Sequence, residues 1–375
     1  MKSSALPYRR IVIKLGSNLL TSGRQCLDVE MMASLVLQIA ALHKQGLQII
    51  MVTSGAIAAG RYKLGKTDGI KGIPYKQVLA AVGQARLMNV YEELFDRHDI
   101  VIAQALLTKA DMSDRLRYLN ARNTLLNLLD LNIIGIINEN DVVAVDELHE
   151  TRFGDNDNLS AMVANLVDAD LLLLLTDIDG LYTADPRRNP DATLIKRVEK
   201  ITTEIEGLAG KAGSTVGTGG MITKIEAARL ATSSGIPVII ANGHEPKILQ
   251  RIAGGEEAGT LFVPTSKHID SRKRWMVSGL SVKGKLAIDE GAANALKQKN
   301  SSLLAAGIRA SQGKYQRGDI VNILDAEGVR IGCGITNYGS TEVETIMGVQ
   351  SKQIASLLGH DYGAEVIHRN NLIIL

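Results

Sequence analysis

Three observations predict an α/β fold, in which a mostly parallel sheet lies between layers of helices and a small β-rich domain follows. Short apolar runs alternate with longer stretches of helical periodicity over the first two-thirds of the chain. Most of those runs are continuously apolar rather than alternating, the pattern of strands covered on both faces. Beyond Val263 the rhythm changes to short strand-like pieces separated by glycine turns. Parallel strands joined through helices bury both faces of a sheet, so the expected architecture of the first part is a three-layer sandwich.

The strands are expected at Arg10–Leu15, Leu47–Val52, Val101–Leu107, Ile133–Asn138, Leu171–Thr176 and Ile236–Ala241. After the first of them Asp28 is placed to cap a helix in which Met32, Leu35, Val36, Ile39 and Leu42 recur at helical spacing, and Gly46 to end it. Further helices are expected over about Lys76–Asp96, Arg115–Leu131, Asn158–Ala169 and Lys224–Ser234. In the second part the expected strands are Gly284–Ile288, Asp319–Leu324 and Val329–Ile335, with a helix at about Ala292–Lys299. The polar, basic stretch His268–Trp275 reads as a linker. The expected division is a first domain of residues 1–266, a linker of 267–282, a second domain of 283–361 and a tail of 362–375.

Composition agrees with this plan. The chain has 375 residues, 45% hydrophobic and 22% charged, which excludes disorder, collagen and coiled coil and suggests about two domains. Aromatic residues are only 3%, so the core is expected to consist of Leu, Ile, Val and Ala. Cys26 and Cys333 lie far apart without a CxxC pair, which implies neither a disulfide framework nor a zinc site and fits a reducing compartment. Runs such as Leu171–Leu175 fall far short of the ~18 apolar residues that span a bilayer. Met1–Arg10 lacks the apolar core of a signal peptide. The expected location is the cytoplasm, away from membranes. Residues 267–375 carry 14 basic and 10 acidic side chains against 28 and 30 in the rest, an asymmetry too mild to imply nucleic acid by itself.

One phosphate motif is a decoy. Gly60-Arg-Tyr-Lys-Leu-Gly65-Lys66-Thr67 satisfies the P-loop pattern literally. A P-loop leaves a strand directly and opens a helix, whereas Gly60 comes eight residues after Val52 and Lys66 leads into a loop. These glycines are assigned to scaffolding. Better phosphate turns stand at strand ends. Lys14-Leu-Gly16-Ser17 closes the first strand and Ser54-Gly55-Ala56 follows the second, where ligands of open α/β sheets gather and helix N-termini accept anions. Taken singly, each glycine is better explained as an ordinary turn residue. Gly217-Thr218-Gly219-Gly220-Met221-Ile222-Thr223-Lys224 is a third glycine-rich segment, passing directly into a helical pattern and bringing a second well-placed lysine.

Acidic and amide side chains gather nearby. Asn138-Glu139-Asn140-Asp141 follows the fourth strand, and Gly154-Asp155-Asn156-Asp157-Asn158 opens a helix with more polar residues than a cap needs. Carboxylates concentrated among lysines can orient them, bind an ammonium or hold a metal. The polar turn after Leu171–Thr176 adds Asp177. Seven scattered histidines show no zinc spacing, no GxSxG elbow occurs, and neither cysteine has a recognisable partner, so covalent catalysis is not expected.

These segments, in this order, resemble the amino acid kinase family. The resemblance rests on Val12-Ile-Lys14-Leu-Gly16-Ser17, Val52-Thr-Ser54-Gly55-Ala56-Ile57-Ala-Ala-Gly60, Leu106-Leu-Thr-Lys-Ala-Asp111, Asn138–Asp141, Gly154–Ser160, Leu175-Thr176-Asp177, Leu181–Pro186 and Gly217–Lys224. The stretch from Gly284 to about Asp361 resembles a PUA domain through Asp289–Ala292, Ser301–Leu304 and Arg317–Val321. That pairing distinguishes the chain from aspartokinases, which carry ACT modules, and from family members that end after the kinase domain.

The resemblance implies ATP-dependent phosphorylation of the side-chain carboxylate of L-glutamate, the first step toward proline, with feedback inhibition by proline. Lys14 and Lys224 would grip the transferring phosphoryl group and the departing phosphate, and Asp157 would hold the two ammonium groups. Ser54, Asp141 and Asn156 would bind glutamate. Gly16 and Gly55, with Thr176, Asp177, Thr218, Gly219, Gly220, Met221, Ile222 and Thr223, would line the nucleotide site. Mg²⁺ would be held by ATP phosphates, with no dedicated metal ligands on the chain. The loop Val142–Phe153 would cover the glutamate site, and Ser17-Asn18, in place of Thr-Ser, would preserve the turn. A homo-oligomer, dimer or tetramer, is implied, with the next enzyme of the proline route as a further partner. Another carboxylate or carbamate kinase is the rival reading within the family. An RNA-binding role for the tail is the rival from another class; it is disfavoured because stacking aromatics and dense basic patches are lacking, although Arg272-Lys273-Arg274 is a small cluster.

Overall fold

Strand β1 (Arg10–Leu15) runs through the middle of an eight-stranded sheet, with Lys14 one residue before its end. The computed structural model describes residues 6–65, 72–144, 155–211, 220–264, 282–299 and 301–374. The chain divides into two compact units, one of residues 1–113 and 120–268, the other of 114–119 and 269–375.

The first unit begins with β1, α1 (Ser17–Thr21), α2 (Val29–Lys44), β2 (Gln48–Val52), α3 (Ala56–Leu64), α4 (Ile73–Asp96) and β3 (Ile102–Leu107). It continues with α5 (Lys109–Ser113), α6 (Arg115–Asp130, of which residues 115–119 are assigned to the second unit), β4 (Ile134–Glu139), α7 (Asp155–Leu166) and β5 (Leu171–Thr176). It ends with β6 (Arg197–Val198), α8 (Thr203–Lys211), α9 (Met221–Ser233), β7 (Val238–Asn242), α10 (Ile248–Ala253) and β8 (Thr260–Phe262). The strand order is β3-β4-β2-β1-β5-β7-β8-β6, parallel throughout except for the antiparallel β7–β8 pair.

Alternation along β1 divides the core between two faces. Ile11, Ile13 and Leu15 join Ile49, Met51, Leu171, Leu173 and Leu175 under α2 and α4. Val12, Ile50, Leu172 and Leu174, equally buried, belong to the opposite face, where α7 packs on β1, β2, β4 and β5. Helix α2 starts where the sequence places it: Asp28 accepts a hydrogen bond from the Met31 amide at 3.1 Å, a cap worth about 1 kcal/mol. Gly46, at φ +91°, turns the chain into β2.

Three helices begin earlier than their apolar periodicity implies. Pro74 sits in the first turn of α4, where a missing N–H costs nothing, and the polar run Asp155–Asn158 forms the first turn of α7 rather than a loop before it. Helix α9 likewise starts at Met221. Among the described residues no helix is long and apolar enough to cross a membrane.

The second unit holds β9 (Gly284–Ile288), α11 (Glu290–Lys299), β10 (Leu303–Leu304), β11 (Ile308–Gln312), β12 (Ile320–Leu324) and β13 (Arg330–Ile335). It closes with α12 (Ser340–Ile346), α13 (Ile354–Leu358), β14 (Glu365–Ile367) and β15 (Leu372–Ile374). Five strands form a sheet in the order β11-β9-β12-β13-β15, while β10 pairs with β14. Leu286, Ile288, Val321, Ile323, Tyr338 and Ile367 fill its core. Residues 362–375, set apart as a tail on sequence grounds, instead supply β14 and β15, and Cys333 pairs with Ile373 inside the sheet. Both cysteines are free.

Candidate active site

Because β1, β2, β4 and β5 run parallel, their carboxyl ends meet along one edge of the sheet, and each continues into a turn that leaves polar groups facing outward. After β1, the Gly16 amide donates to Leu175 O at 3.2 Å, and Gly16 caps α1. After β2, Gly55 caps α3 at φ +98°, a left-handed conformation that favours glycine. The register sets Lys14 of β1 opposite Val52 and Leu174, one residue before the strand ends.

At the floor of this edge three charges share one point. Asp157, in the first turn of α7, has no exposed surface, and Lys14 and Lys224 are 4% and 5% exposed. Lys14 Nζ lies 2.5 Å from Asp157 Oδ1, and Lys224 Nζ lies 3.3 Å from Oδ2. Thr223 Oγ1 donates to the same Oδ2 at 2.8 Å. Burial alone would raise the Asp157 pKa, yet the two lysine charges, with hydrogen bonds from Lys14 and Thr223, bring it down to about 2. Lys14 is pushed below its ordinary value chiefly by burial, opposed by Asp157 and assisted by Lys224. The cluster thus carries two cations and one anion, an excess of positive charge held where water cannot screen it.

Next to the charge cluster, still on α7, Asn156 faces the ends of β2 and β4. Its Nδ2 donates to Ser54 Oγ and to Asn138 Oδ1, both at 3.2 Å, and Asn138 in turn donates to Gln84 Oε1 at 2.8 Å. Asn156 Oδ1 is buried without a hydrogen-bond partner, an acceptor available to a bound cationic group. Asp141 lies beyond β4, and burial together with the Glu139 carboxylate pushes it up to about 7. On the other side of β1, Thr176 Oγ1 and Asn18 Nδ2 both donate to the Asp177 carboxylate, at 3.0 and 3.3 Å. Asn18 therefore ties the turn after β1 to the turn after β5.

A cavity of about 320 Å³ joins these parts. Lys14, Gly16, Ser54, Gly55, Asp141, Asn156, Thr176, Asp177 and Lys224 all line it, with Asp157 buried behind the two lysines. Gly220, Met221, Ile222 and Thr223 are not part of the lining; Met221 is buried, Ile222 is exposed, and Thr223 is engaged with Asp157. Thr218 and Gly219, with Lys66 and most of the loop Val142–Phe153, lie outside the described residues. The P-loop-like string is broken up by the fold: Gly60 to Leu64 are the second half of α3, and a Cβ on Gly60 would meet Leu79 O at 1.9 Å.

The lining also includes residues that the sequence motifs did not single out as ligands. Arg61 and Lys76 are among them. Arg61 was hidden inside the decoy motif, and Lys76 stands in an amphipathic helix where a lysine looks like a solvated face. Asn138 was visible as part of a polar cluster, but its bond to Asn156 depends on a contact across 18 residues.

The sequence profile of the amino acid kinase family matches residues 9–242, which include β1 to β7 and every side chain of the cluster. The chain belongs to the amino acid kinase family. Its second unit matches the PUA domain profile over residues 284–358. It is 56% identical over 368 residues to a glutamate 5-kinase of Dehalococcoides mccartyi (strain CBDB1), covering 98% of this chain and 99% of that one. A glutamate 5-kinase of Herpetosiphon aurantiacus is 50% identical over 366 residues, 98% of each chain. One from Geobacter sulfurreducens is 47% identical over the full length of both. A member of this kinase family uses ATP, and the buried lysine pair suits the triphosphate: fixed positive charge at a dry floor, with Gly16 leaving backbone within reach.

Proposed function

We infer that this chain transfers the γ-phosphoryl group of ATP to the side-chain carboxylate of L-glutamate, giving L-glutamyl 5-phosphate and ADP. The observation that carries this reading is the Lys14–Asp157–Lys224 cluster at the floor of the cavity. The names of the long-matching relatives support the choice of acceptor.

The acceptor is already a nucleophile, because a glutamate carboxyl group has a pKa of about 4.3 and is ionised at neutral pH. No general base is required. A carboxylate oxygen bonds to the γ-phosphorus as the bond from that phosphorus to the β,γ-bridging oxygen breaks, and the electron pair leaves with ADP. The obstacle is repulsion between two anions, and the remedy is fixed positive charge with in-line positioning. Lys14 and Lys224 neutralise the charge spreading over the phosphoryl oxygens and the leaving phosphate. Asp157 holds both ammonium groups fixed in direction, so they need no reorganisation during transfer. Ser54 and Asn156 orient the amino acid, and Asp141 receives its ammonium group. Thr176 and Asp177 face the nucleotide. Mg²⁺ would ride on the phosphates of ATP, where it would withdraw charge.

This activity would provide the activated acyl group from which proline is made, and L-proline is expected to inhibit it competitively with glutamate. Catalysis is assigned to residues 1–266, and the full chain is expected as a dimer or tetramer in light scattering.

The deciding experiment traps the acyl phosphate as a hydroxamate. The purified protein, ATP, Mg²⁺ and hydroxylamine should yield hydroxamate with L-glutamate, and far less with aspartate or N-acetylglutamate. No hydroxamate above that of a Lys224→Ala control would overturn the assignment.

A further inference from the structure

Asn156 ends a chain of three amides, and the residue that starts the chain stands outside the cavity. Gln84, on α4, is not among the residues that line it, whereas Asn138 and Asn156 both are. Asn138 Nδ2 donates to Gln84 Oε1 at 2.8 Å, and Asn156 Nδ2 donates to Asn138 Oδ1 at 3.2 Å. The amides therefore all point the same way. One group is left over at each end: Gln84 Nε2 and Asn156 Oδ1 are both buried without a hydrogen-bond partner.

Two contacts hold Gln84 where it is. Gly83, the residue before it, is pressed against the start of α3, just past the turn that follows β2; a Cβ there would lie 1.7 Å from Ala56 O. Tyr91, about two helical turns further on and so on the same face of α4, shares a 2.7 Å hydrogen bond with Thr53 Oγ1 beside the end of β2. Gln84 is thus carried by a helix fastened on both sides of it.

A side-chain amide has a donor end and an acceptor end, so a closed chain of amides turns over only as a unit. In the direction observed, Asn156 keeps its carbonyl oxygen free; reversed, it would keep its NH₂ group free. Only the first suits an ammonium group. Without Gln84, Asn138 would lose its outer partner, and Asn156 could turn over with it.

We propose that Gln84 is a positioning residue for the amino acid substrate: through Asn138 it keeps the Asn156 carbonyl oxygen available to the substrate's ammonium group. This rests on glutamate being the acceptor. An ammonium meeting an acceptor already held in place gains a charge-assisted hydrogen bond without first ordering the side chain.

The test removes the far end of the chain and leaves the cavity lining intact. Gln84→Met keeps the length of the side chain and deletes its amide. KM for L-glutamate should rise about fivefold, with kcat and KM for ATP within about twofold. Gln84→Ala makes the same deletion with a smaller side chain, and should show the same split if methionine does not fit. Gln84→Glu, assayed at about pH 8 where a carboxylate is ionised, keeps an acceptor facing Asn138 and should hold KM within about twofold of the unsubstituted protein. In an Asn156→Ala background, Gln84→Met should change KM for glutamate by less than about twofold, because its effect passes through Asn156. An undiminished rise in that background, equal rises for glutamate and ATP, or a Gln84→Glu variant as impaired as Gln84→Met would overturn the proposal. Absence of hydroxamate from L-glutamate in the unsubstituted protein would overturn the parent reading, and this one with it.

Discussion

Lys14 Nζ and Asp157 Oδ1 stand 2.5 Å apart, on a strand and a helix that are 143 positions distant in sequence, and neither side chain has appreciable contact with water. Burial favours loss of the Lys14 proton, and the Asp157 carboxylate opposes it. Asp157→Asn should therefore reduce kcat by about 100-fold or more while leaving ATP binding detectable. It should also destabilise the fold by about 3–5 kcal/mol, since it breaks a buried pair from one side. Steady-state kinetics and urea unfolding measure the two effects.

The sign of the acid response follows from the same group. Asp157 ionises at about 2 in the folded chain against 3.8 for an ordinary aspartate, so its contribution is fully present above about pH 4 and disappears as pH falls through about 2. The Asn variant should lose that part of the acid unfolding profile.

Asp141 responds in the opposite sense. Burial and Glu139 push it up to about 7, so between about pH 4 and 7 the folded chain holds a proton that the unfolded chain releases. Its contribution to stability consequently declines as pH rises through that window. With Asp141 as the ammonium site, substrate binding should improve over the same window, because an ammonium group needs the ionised carboxylate. The logarithm of kcat/KM for glutamate should rise with pH up to about 7 and then level. Asp141→Asn should remove that rise and increase KM about tenfold or more.

Asn156 is expected to separate acceptor binding from nucleotide binding. Its Nδ2 contacts Ser54 and Asn138, and its Oδ1 is buried without a partner. Asn156→Ala should raise KM for glutamate about tenfold and leave KM for ATP within about twofold. A parallel rise in both would contradict the division of the cavity.

The decoy motif yields a stability prediction. Gly60→Ala drives a methyl into Leu79 O and should cost about 1–3 kcal/mol in a denaturant titration. At Gly65 no atom lies within 4 Å of a Cβ; the penalty for alanine comes instead from φ +67°, about 1–2 kcal/mol. Lys66→Ala should leave ATP turnover nearly intact. A loss as large as that of Lys14→Ala would restore the phosphate-loop reading of Gly60–Thr67.

The sheet was legible because its strands are long apolar runs buried on both faces; β1 and β5 begin and end where the sequence places them. Strands β6, β8, β10 and β14 were not, since two or three residues carry no period. At the site, Lys14, Asp157 and Lys224 were visible through polar types at strand and helix ends. Arg61 and Lys76 were not: that both line the cavity depends on α3 packing against α4, and a single chain of letters does not show which helices touch.

Asn156 and Asp157 are consecutive residues in one turn of α7, the first bonded to Ser54 and Asn138, on the side proposed for the acceptor, and the second paired with Lys14 and Lys224, proposed to grip the phosphoryl group. Helical geometry makes that turn a spacer of fixed length. An acceptor anchored at its amino-acid end reaches the phosphorus only if its carbon chain matches the spacer. Aspartate, one methylene shorter, would stop about 1 Å away from attack, and a misplacement of that size costs roughly 100-fold in rate. Discrimination by chain length would then be built into the fixed offset between two consecutive residues of a helix, independent of how tightly either amino acid is held.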